Sequence, residues 1–164
     1  MKKIFYTITV ILLVAAMTSP VYGAGKVKVT SLAEVEVEAV NDKGEKEKKR
    51  VRAAEAEVMP GDTVIFTNSF INDEAEAAEN VVLTNAVPEH MIYVDFSAEG
   101  SDAKIDFSVD GGKSYGEAAD LKVKDDKGGL RRAKGADYTH IRWTIEKPVK
   151  PGSRGTVGFR AILK

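Results

Sequence analysis

The fold is decided by residues 58–94, which begin with the sequence VMPGDTVIFTNSF. Pro60 presets its own φ and Gly61 tolerates unusual dihedral angles, so the Pro-Gly-Asp segment predicts a turn. The run that follows is rich in Val, Ile, Phe and Thr, which suit a pleated, half-buried surface. Apolar side chains recur there at every second position, and this period predicts a β-strand rather than a helix. The inward face of this strand carries Val64, Phe66, Asn68 and Phe70.

The same alternation predicts further strands along the chain. Runs of this kind occur at residues 80–84, 91–97, 104–109, 139–146 and 156–163, with turn-forming residues between them. Many short strands separated by turns are typical of a sandwich, so we predict an all-β, Ig-like antiparallel β-sandwich of about seven to nine strands. The predicted core residues are Val64, Phe66, Ile92, Val94, Phe107, Ile141, Trp143, Val157 and Phe159.

The order of several motifs resembles the conserved-repeat family called domain of unknown function eleven. The motifs are PGDT at residues 60–63, NVV at 80–82, VP at 87–88, THIRW at 139–143 and PGSRGTVGFR at 151–160. The resemblance covers roughly residues 58–164. It implies an Ig-like domain of an exported bacterial or archaeal surface protein, and it implies no catalytic residues.

The first residues have the pattern of a secretory signal peptide. Two lysines precede a run at residues 4–17 that is apolar apart from Thr7 and Thr9, and Pro20 then breaks any helix. We predict cleavage after Gly23, or alternatively after Ala24, and therefore a periplasmic, cell-surface or secreted protein with no membrane span after signal removal. A retained amphipathic anchor is the competing interpretation. The predicted organisation is a signal peptide at 1–23, an N-terminal β-hairpin region within the sandwich at 24–57, and the Ig-like core at 58–164.

Charge patterning predicts the N-terminal hairpin. Glutamates alternate with apolar residues over residues 34–39, as in a strand with one solvated face. Residues 42–44 suit a three-residue hairpin loop with Gly44 in the left-handed conformation. The resulting register pairs Glu38 with Lys48, Glu36 with Arg50 and Glu34 with Arg52. The alternative is a helix over residues 46–57, which Ala and Glu there would favour.

Composition restricts the classes of function. The 164-residue chain has no cysteine, which excludes disulfides and thiolate chemistry. Its formal net charge is -1, and no basic patch interleaved with aromatic residues indicates nucleic-acid binding. Aromatic residues make up 7% of the chain, which argues against a broad aromatic platform for sugars.

Residues 108–115, SVDGGKSY, resemble the Asp-box of sialidases and related propellers. In those proteins the box is a structural hairpin that recurs in each blade, whereas here it occurs once. Asp110 can accept backbone hydrogen bonds within such a turn, Gly111 and Gly112 permit positive φ, and Tyr115 can pack back on the hairpin. We interpret the motif as a turn device in preference to a sign of glycosidase activity.

The sequence predicts no catalytic, cofactor-binding or metal-binding residue, and no cofactor is expected. Its two histidines, His90 and His140, are too few for a zinc site without several acids. No nucleophile-elbow sequence frames a serine. Residues 72–79 include four acids and suggest a Ca²⁺ loop, but they lack its spacing and its central glycine. A solvated connection is the favoured interpretation.

These observations favour an exported, non-enzymatic module with a structural or protein-interaction role. The expected partner is another envelope or secreted protein, or a second copy, contacted through an edge strand or through the polar segments 72–79 and 117–138. The second segment, with a short edge strand at Leu121 and Val123, is expected to contribute little to stability. A carbohydrate-binding or glycan-associated module is the main alternative. A strand-adding periplasmic chaperone is a third, disfavoured because a second Ig domain is not evident.

Overall fold

The computed structural model describes residues 27–40 and 44–164. The predicted signal peptide, residues 1–23, and residues 41–43 of the hairpin connection lie outside them. The described residues form no α-helix but eleven strands, more than predicted because four of them have only two or three residues. The strands are β1 Lys28–Val40, β2 Lys46–Arg52, β3 Thr63–Ile71, β4 Val82–Ala86, β5 Met91–Tyr93, β6 Glu99–Gly100, β7 Ala103–Ser108, β8 Lys122–Lys124, β9 Leu130–Arg132, β10 His140–Ile145 and β11 Arg154–Leu163.

The strands form two main antiparallel sheets. The larger has the order β2-β1-β3-β11-β5, and β6 also pairs with β11. The smaller has the order β4-β10-β7, while β8 and β9 form a separate hairpin. Because β1 pairs with β3 over residues 28–35, the N-terminal hairpin region is part of the larger sheet.

Apolar side chains from the two sheets meet in one core. The ring centroids of Trp143 on β10 and Phe159 on β11 are 6.3 Å apart. Those of Tyr93 on β5 and Phe107 on β7 are 5.3 Å apart. Both pairs join the larger sheet to the smaller one, so the chain is an all-β antiparallel sandwich, as predicted.

Most of the predicted core residues are buried. Phe66 is half-buried, and its ring stacks on that of Phe159 at a centroid distance of 4.8 Å. The polar interruption of β3, Asn68, is also buried. Its amide oxygen accepts a hydrogen bond from Ser31 Oγ at 2.7 Å, and its Nδ2 donates to Asn85 Oδ1 of β4 at 2.5 Å. The predicted residues that are buried are Val64, Phe107, Ile141, Trp143, Val157 and Phe159.

The prediction that Ile92 and Val94 belong to the core is wrong. Met91 and Tyr93 are buried instead, whereas Ile92 and Val94 are half-buried. The register explains the difference, because Tyr93 pairs with the inward-facing Ala161 and therefore faces inward itself. Residues 91–94 are all apolar or aromatic, so hydropathy could not decide which alternate set points inward.

The predicted register of the N-terminal hairpin is confirmed. β1 and β2 pair Glu38 with Lys48, Glu36 with Arg50 and Glu34 with Arg52. Gly44 has φ +80, as its left-handed role requires. The alternative helix over residues 46–57 is wrong, because residues 46–52 are strand and a 3-10 turn occupies only Ala53–Glu55.

Candidate interaction surface

The hairpin β1–β2 extends beyond the sandwich. β1 has 13 residues, but its pairing with β3 ends at Val35 opposite Val64. From Glu36 to Val40, β1 pairs only with β2 among the described residues. We call this projection, residues 36–40 and 44–50, the β-arm. Five strand residues at ~3.3 Å each make it about 16 Å long.

The β-arm is solvent-exposed and has little packing to hold it. Residues 44–50 are all exposed, and Val37 is half-buried against the edge of the core. A two-stranded hairpin without further packing is marginally stable in water. A third strand or another surface laid against the arm would therefore stabilise it.

One face of β2 consists of cations at alternate positions. Lys46, Lys48, Arg50 and Arg52 pair with Val40, Glu38, Glu36 and Glu34 of β1. Ion pairs join Lys46 Nζ to Glu38 Oε2 at 3.3 Å and Arg50 Nε to Glu36 Oε1 at 3.5 Å. The opposite face of β2 carries Glu47, Lys49 and Val51. Among the described residues, no ion pair is formed by Lys48 or Lys49.

The far edge of β2 is the longest free strand edge of the larger sheet. β2 ends the strand order and has seven residues, whereas β5 at the other end has three. Sheet edges present unpaired backbone N–H and C=O groups that can pair with another chain. Lysines on an edge strand hinder its pairing with other chains in general. Because opposite charges facing each other across strands are favourable, an acidic strand is the neighbour that such an edge disfavours least.

Phe96 is a second exposed feature, at the opposite edge of the larger sheet. Its side chain is fully exposed, and its φ of 63° is a left-handed conformation that a bulky residue seldom adopts. Ser97 holds the turn, since its N–H donates to Val94 O at 3.1 Å and its Oγ accepts from Arg160 N at 3.0 Å. The turn therefore fixes the backbone from which an aromatic ring extends into solvent.

The Asp-box-like segment is a closed turn, as the sequence predicted. Asp110 Oδ1 accepts hydrogen bonds from Ser108 Oγ, Lys113 N and Ser114 N at 2.7, 3.1 and 3.0 Å. Its Oδ2 accepts from Ser114 Oγ at 2.6 Å. These bonds, above all those from Ser114, hold the pKa of the Asp110 carboxyl well below its ordinary range. Gly111 and Gly112 have φ of +78 and +83. The Asp110 carboxylate thus stabilises the turn through hydrogen bonds within residues 108–114.

Tyr115 packs beside the turn on the outer face of the smaller sheet. The guanidinium carbon of Arg142 lies 4.2 Å from the centroid of the Tyr115 ring. Arg142 also donates to Asp106 Oδ2 at 3.1 Å, and Lys104 Nζ is 3.3 Å from the other oxygen of Asp106. The Tyr115 ring therefore contacts Arg142, and Arg142 and Lys104 both interact with the buried Asp106 carboxylate.

The two histidines lie apart in the chain and in different settings. His90 is exposed in the connection before β5. His140 is half-buried at the start of β10, and burial lowers its pKa. Within the described residues, no group of three or more His, Cys, Asp or Glu side chains is placed to hold a metal ion.

The acidic segment 72–79 is an ordered crossover pinned by Asn72. This side chain is fully buried, and its Nδ2 donates to Glu76 O and Val149 O at 2.7 Å each. Its Oδ1 accepts from Glu74 N at 3.0 Å. Asp73 pairs with Lys28 of β1. The buried amide of Asn72 fixes the path of this segment. Sequence reasoning missed it because the acidic composition of the segment indicated a solvated connection.

Segment 117–138 is more structured than its polar composition indicated. It contains the β8–β9 hairpin, and Arg131 forms a two-point ion pair with Asp137 at 2.5 and 2.8 Å. Tyr138 is buried, with its ring centroid 4.7 Å from that of Phe107. Ala133 is buried as well. This burial argues against the expectation that the segment contributes little to stability.

Two surface depressions are open to solvent rather than enclosed. A groove of about 640 Å³ on the larger sheet is lined in part by Lys28, Ser69 and Arg154. A smaller one of about 330 Å³ lies beside Pro88 and His140. Small-molecule sites are usually clefts or cavities that enclose most of the ligand. The geometry therefore favours the β-arm over either depression as the site of function.

Comparisons with family models, with curated proteins and with solved structures return no match. The resemblance to domain of unknown function eleven accordingly stays a prediction. No helix in the described part of the chain is long and apolar enough to cross a membrane.

Proposed function

We propose that this chain is an exported, non-enzymatic module that binds another envelope or secreted protein through the β-arm. The proposal of export depends on the signal-peptide pattern of residues 1–23. The proposal of an Ig-like type of sandwich depends on the motif resemblance. The proposal of protein binding depends on the arm itself.

The observation that carries this function is the projection of two strands beyond the sheet that supports them. The arm adds little to the core, since residues 44–50 are exposed. It nevertheless carries residues 46–50 of the seven-residue free edge of β2. Strand edges are a recurring means by which proteins recognise extended segments of other proteins.

The carbohydrate-binding alternative lacks comparable support. The Asp-box-like turn engages both oxygens of Asp110 internally. The nearby aromatic, Tyr115, stacks on Arg142. Sugar-binding sites commonly use exposed aromatic rings beside acids, whereas Asp110 and Tyr115 are occupied within the turn and the sheet.

An arm-shortened variant tests the proposal. Residues 38–48 are replaced by Asn-Gly, a two-residue hairpin connection that joins Val37 to Lys49. The matched control shortens the β8–β9 turn by replacing residues 125–129 with Asn-Gly. Cross-linking in envelope extract identifies bound proteins, and each is purified and titrated against all three chains by calorimetry.

We expect the wild type and the control to bind one purified partner with equal affinity and the arm-shortened variant to lose that binding. Equal affinity of all three chains would contradict the proposal. Loss in the β8–β9 control alone would assign the contact to segment 117–138 instead.

A further inference from the structure

We propose that the free edge of β2 accepts an extended segment of a partner protein whose acidic side chains occupy every second position. This inference deepens the proposed function and rests on it. It specifies the chemistry of the partner: a strand that adds antiparallel or parallel to β2, with carboxylates on the face where the cations lie.

The alternating cations of β2 set the charge of the added strand. Side chains directly opposite in neighbouring strands lie close together, so opposite charges there are favourable and like charges unfavourable. An added strand on the far side of β2 would face Lys46, Lys48, Arg50 and Arg52 along one face. Carboxylates at alternate positions match that row.

β1 demonstrates the kind of strand that β2 accepts. Residues 34–38 of β1 are Glu-Val-Glu-Val-Glu, and each glutamate is paired in register with a cation of β2. An acidic strand on the other side would place each central cation between two carboxylates. Lys48 is the clearest position, since it forms no ion pair with another described residue.

The same charges disfavour pairing between two copies of β2. Five of its seven residues are basic and only Glu47 is acidic. Two such strands side by side would bring cations opposite cations. A nucleic acid would satisfy the charges but not the free backbone groups of the strand, which only another polypeptide backbone can pair in a sheet.

Synthetic peptides test this inference on the intact mature chain. The acidic probe has the sequence of residues 34–40, Glu-Val-Glu-Val-Glu-Ala-Val, with both ends capped. Control peptides replace every Glu by Gln or by Lys, and another acidic peptide carries N-methyl groups on alternate amides. Affinity is measured by calorimetry, and hydrogen exchange reports which amides gain protection.

We expect the acidic peptide to bind more tightly than the Gln peptide, and the Lys and N-methylated peptides to bind weakly or not at all. Protection should increase at residues 46–52 without loss at residues 34–40. Lys46→Gln combined with Lys48→Gln should weaken binding about fivefold, since two cross-strand pairs are lost. The matched control, Lys122→Gln with Lys124→Gln on β8, removes the same charge and should bind normally.

Equal binding of the acidic and Gln peptides, or undiminished binding of the N-methylated peptide, would overturn the inference. Loss of protection at residues 34–40 would indicate strand exchange and would overturn it as well. Tighter binding of a single-stranded oligonucleotide than of the acidic peptide would do the same. None of these outcomes would alter the arm-dependent capture of a partner, which tests the proposed function separately.

Discussion

Arg50 of β2 lies directly opposite Glu36 of β1, with Arg50 Nε 3.5 Å from Glu36 Oε1. This pair is at the base of the β-arm, one residue beyond the last pairing of β1 with β3 at Val35. Both side chains are substantially exposed, so the pair contributes at most about 1 kcal/mol. The pair therefore contributes more to the stability of the β-arm than to that of the sandwich.

Glu36→Lys should therefore loosen the arm and leave the sandwich intact. The substitution places a cation opposite Arg50 and next to the other cations of β2. We expect faster hydrogen exchange at residues 36–40 and 46–50 with a nearly unchanged denaturation midpoint. Glu99→Lys, also exposed on the larger sheet, is the control and should leave exchange in the arm unchanged. A large fall in the midpoint for Glu36→Lys would show that the arm is part of the main cooperative unit.

Asn72→Ala should destabilise the fold by about 2–4 kcal/mol. The change removes three hydrogen bonds of the buried amide, with Glu76 O, Val149 O and Glu74 N, and each contributes about 0.5–1.5 kcal/mol. Val149 O keeps its bond from Ala78 N. Chemical denaturation provides the measurement. Glu74→Gln, at an exposed position in the same segment, should change stability little. Equal effects of the two substitutions would refute the role assigned to Asn72.

Phe96→Gly should raise stability by up to about 1 kcal/mol. Glycine adopts the left-handed conformation at residue 96 without the steric cost that a side chain incurs, and the fully exposed ring has little packing to lose. The unfolding midpoint of this variant is compared with that of Asp95→Gly in the same turn. A loss of stability in Phe96→Gly would mean that the ring makes stabilising contacts.

Burial of His140 should make stability fall as the pH drops below about 6.5. Because the pKa of His140 is lowered in the folded chain, the unfolded chain binds more protons in this window, and protonation favours unfolding. Asp110 opposes this effect in part. We expect His140→Gln to lose less stability than wild type between pH 7 and about 5. His90→Gln, at the exposed histidine, is the control.

The contribution of Asp137 lies in a different pH window. Its ion pair with Arg131 holds the pKa of the Asp137 carboxyl below the ordinary value of 3.8, so that contribution is lost only at more acidic pH. A wild-type pH profile identical to that of His140→Gln down to pH 5 would contradict the role of His140.

Strand register and burial could be predicted from the sequence where charge pairs, turn residues or polar neighbours favoured a single arrangement. The register of β1 with β2 followed from three pairs of opposite charge and from Gly44. Burial of Trp143 followed from alternation with polar neighbours. Residues 91–94 are all apolar or aromatic, so the sequence could not show which of them face the core. The pairing of Tyr93 with Ala161 decides this.

The candidate site was harder to predict because it depends on strand lengths. The alternation over residues 34–39 predicted a strand, but it did not predict the residue at which pairing with β3 would end. That point is set by the turn at residues 59–62, which starts β3 at Thr63 and leaves the end of β1 beyond it. The polar segments 72–79 and 117–138 were favoured for contact by composition, while Asn72 and Tyr138 within them are buried.

We propose that a partner protein adds to the free edge of β2. Hydrogen exchange of the mature chain, measured residue by residue with and without the purified partner, tests it most directly. We expect increased protection at residues 46–52, with residues 122–124 and 130–132 of the β8–β9 hairpin unchanged. Protection confined to the turn around Phe96 or to segment 117–138, with β2 amides exchanging as in the free chain, would contradict it.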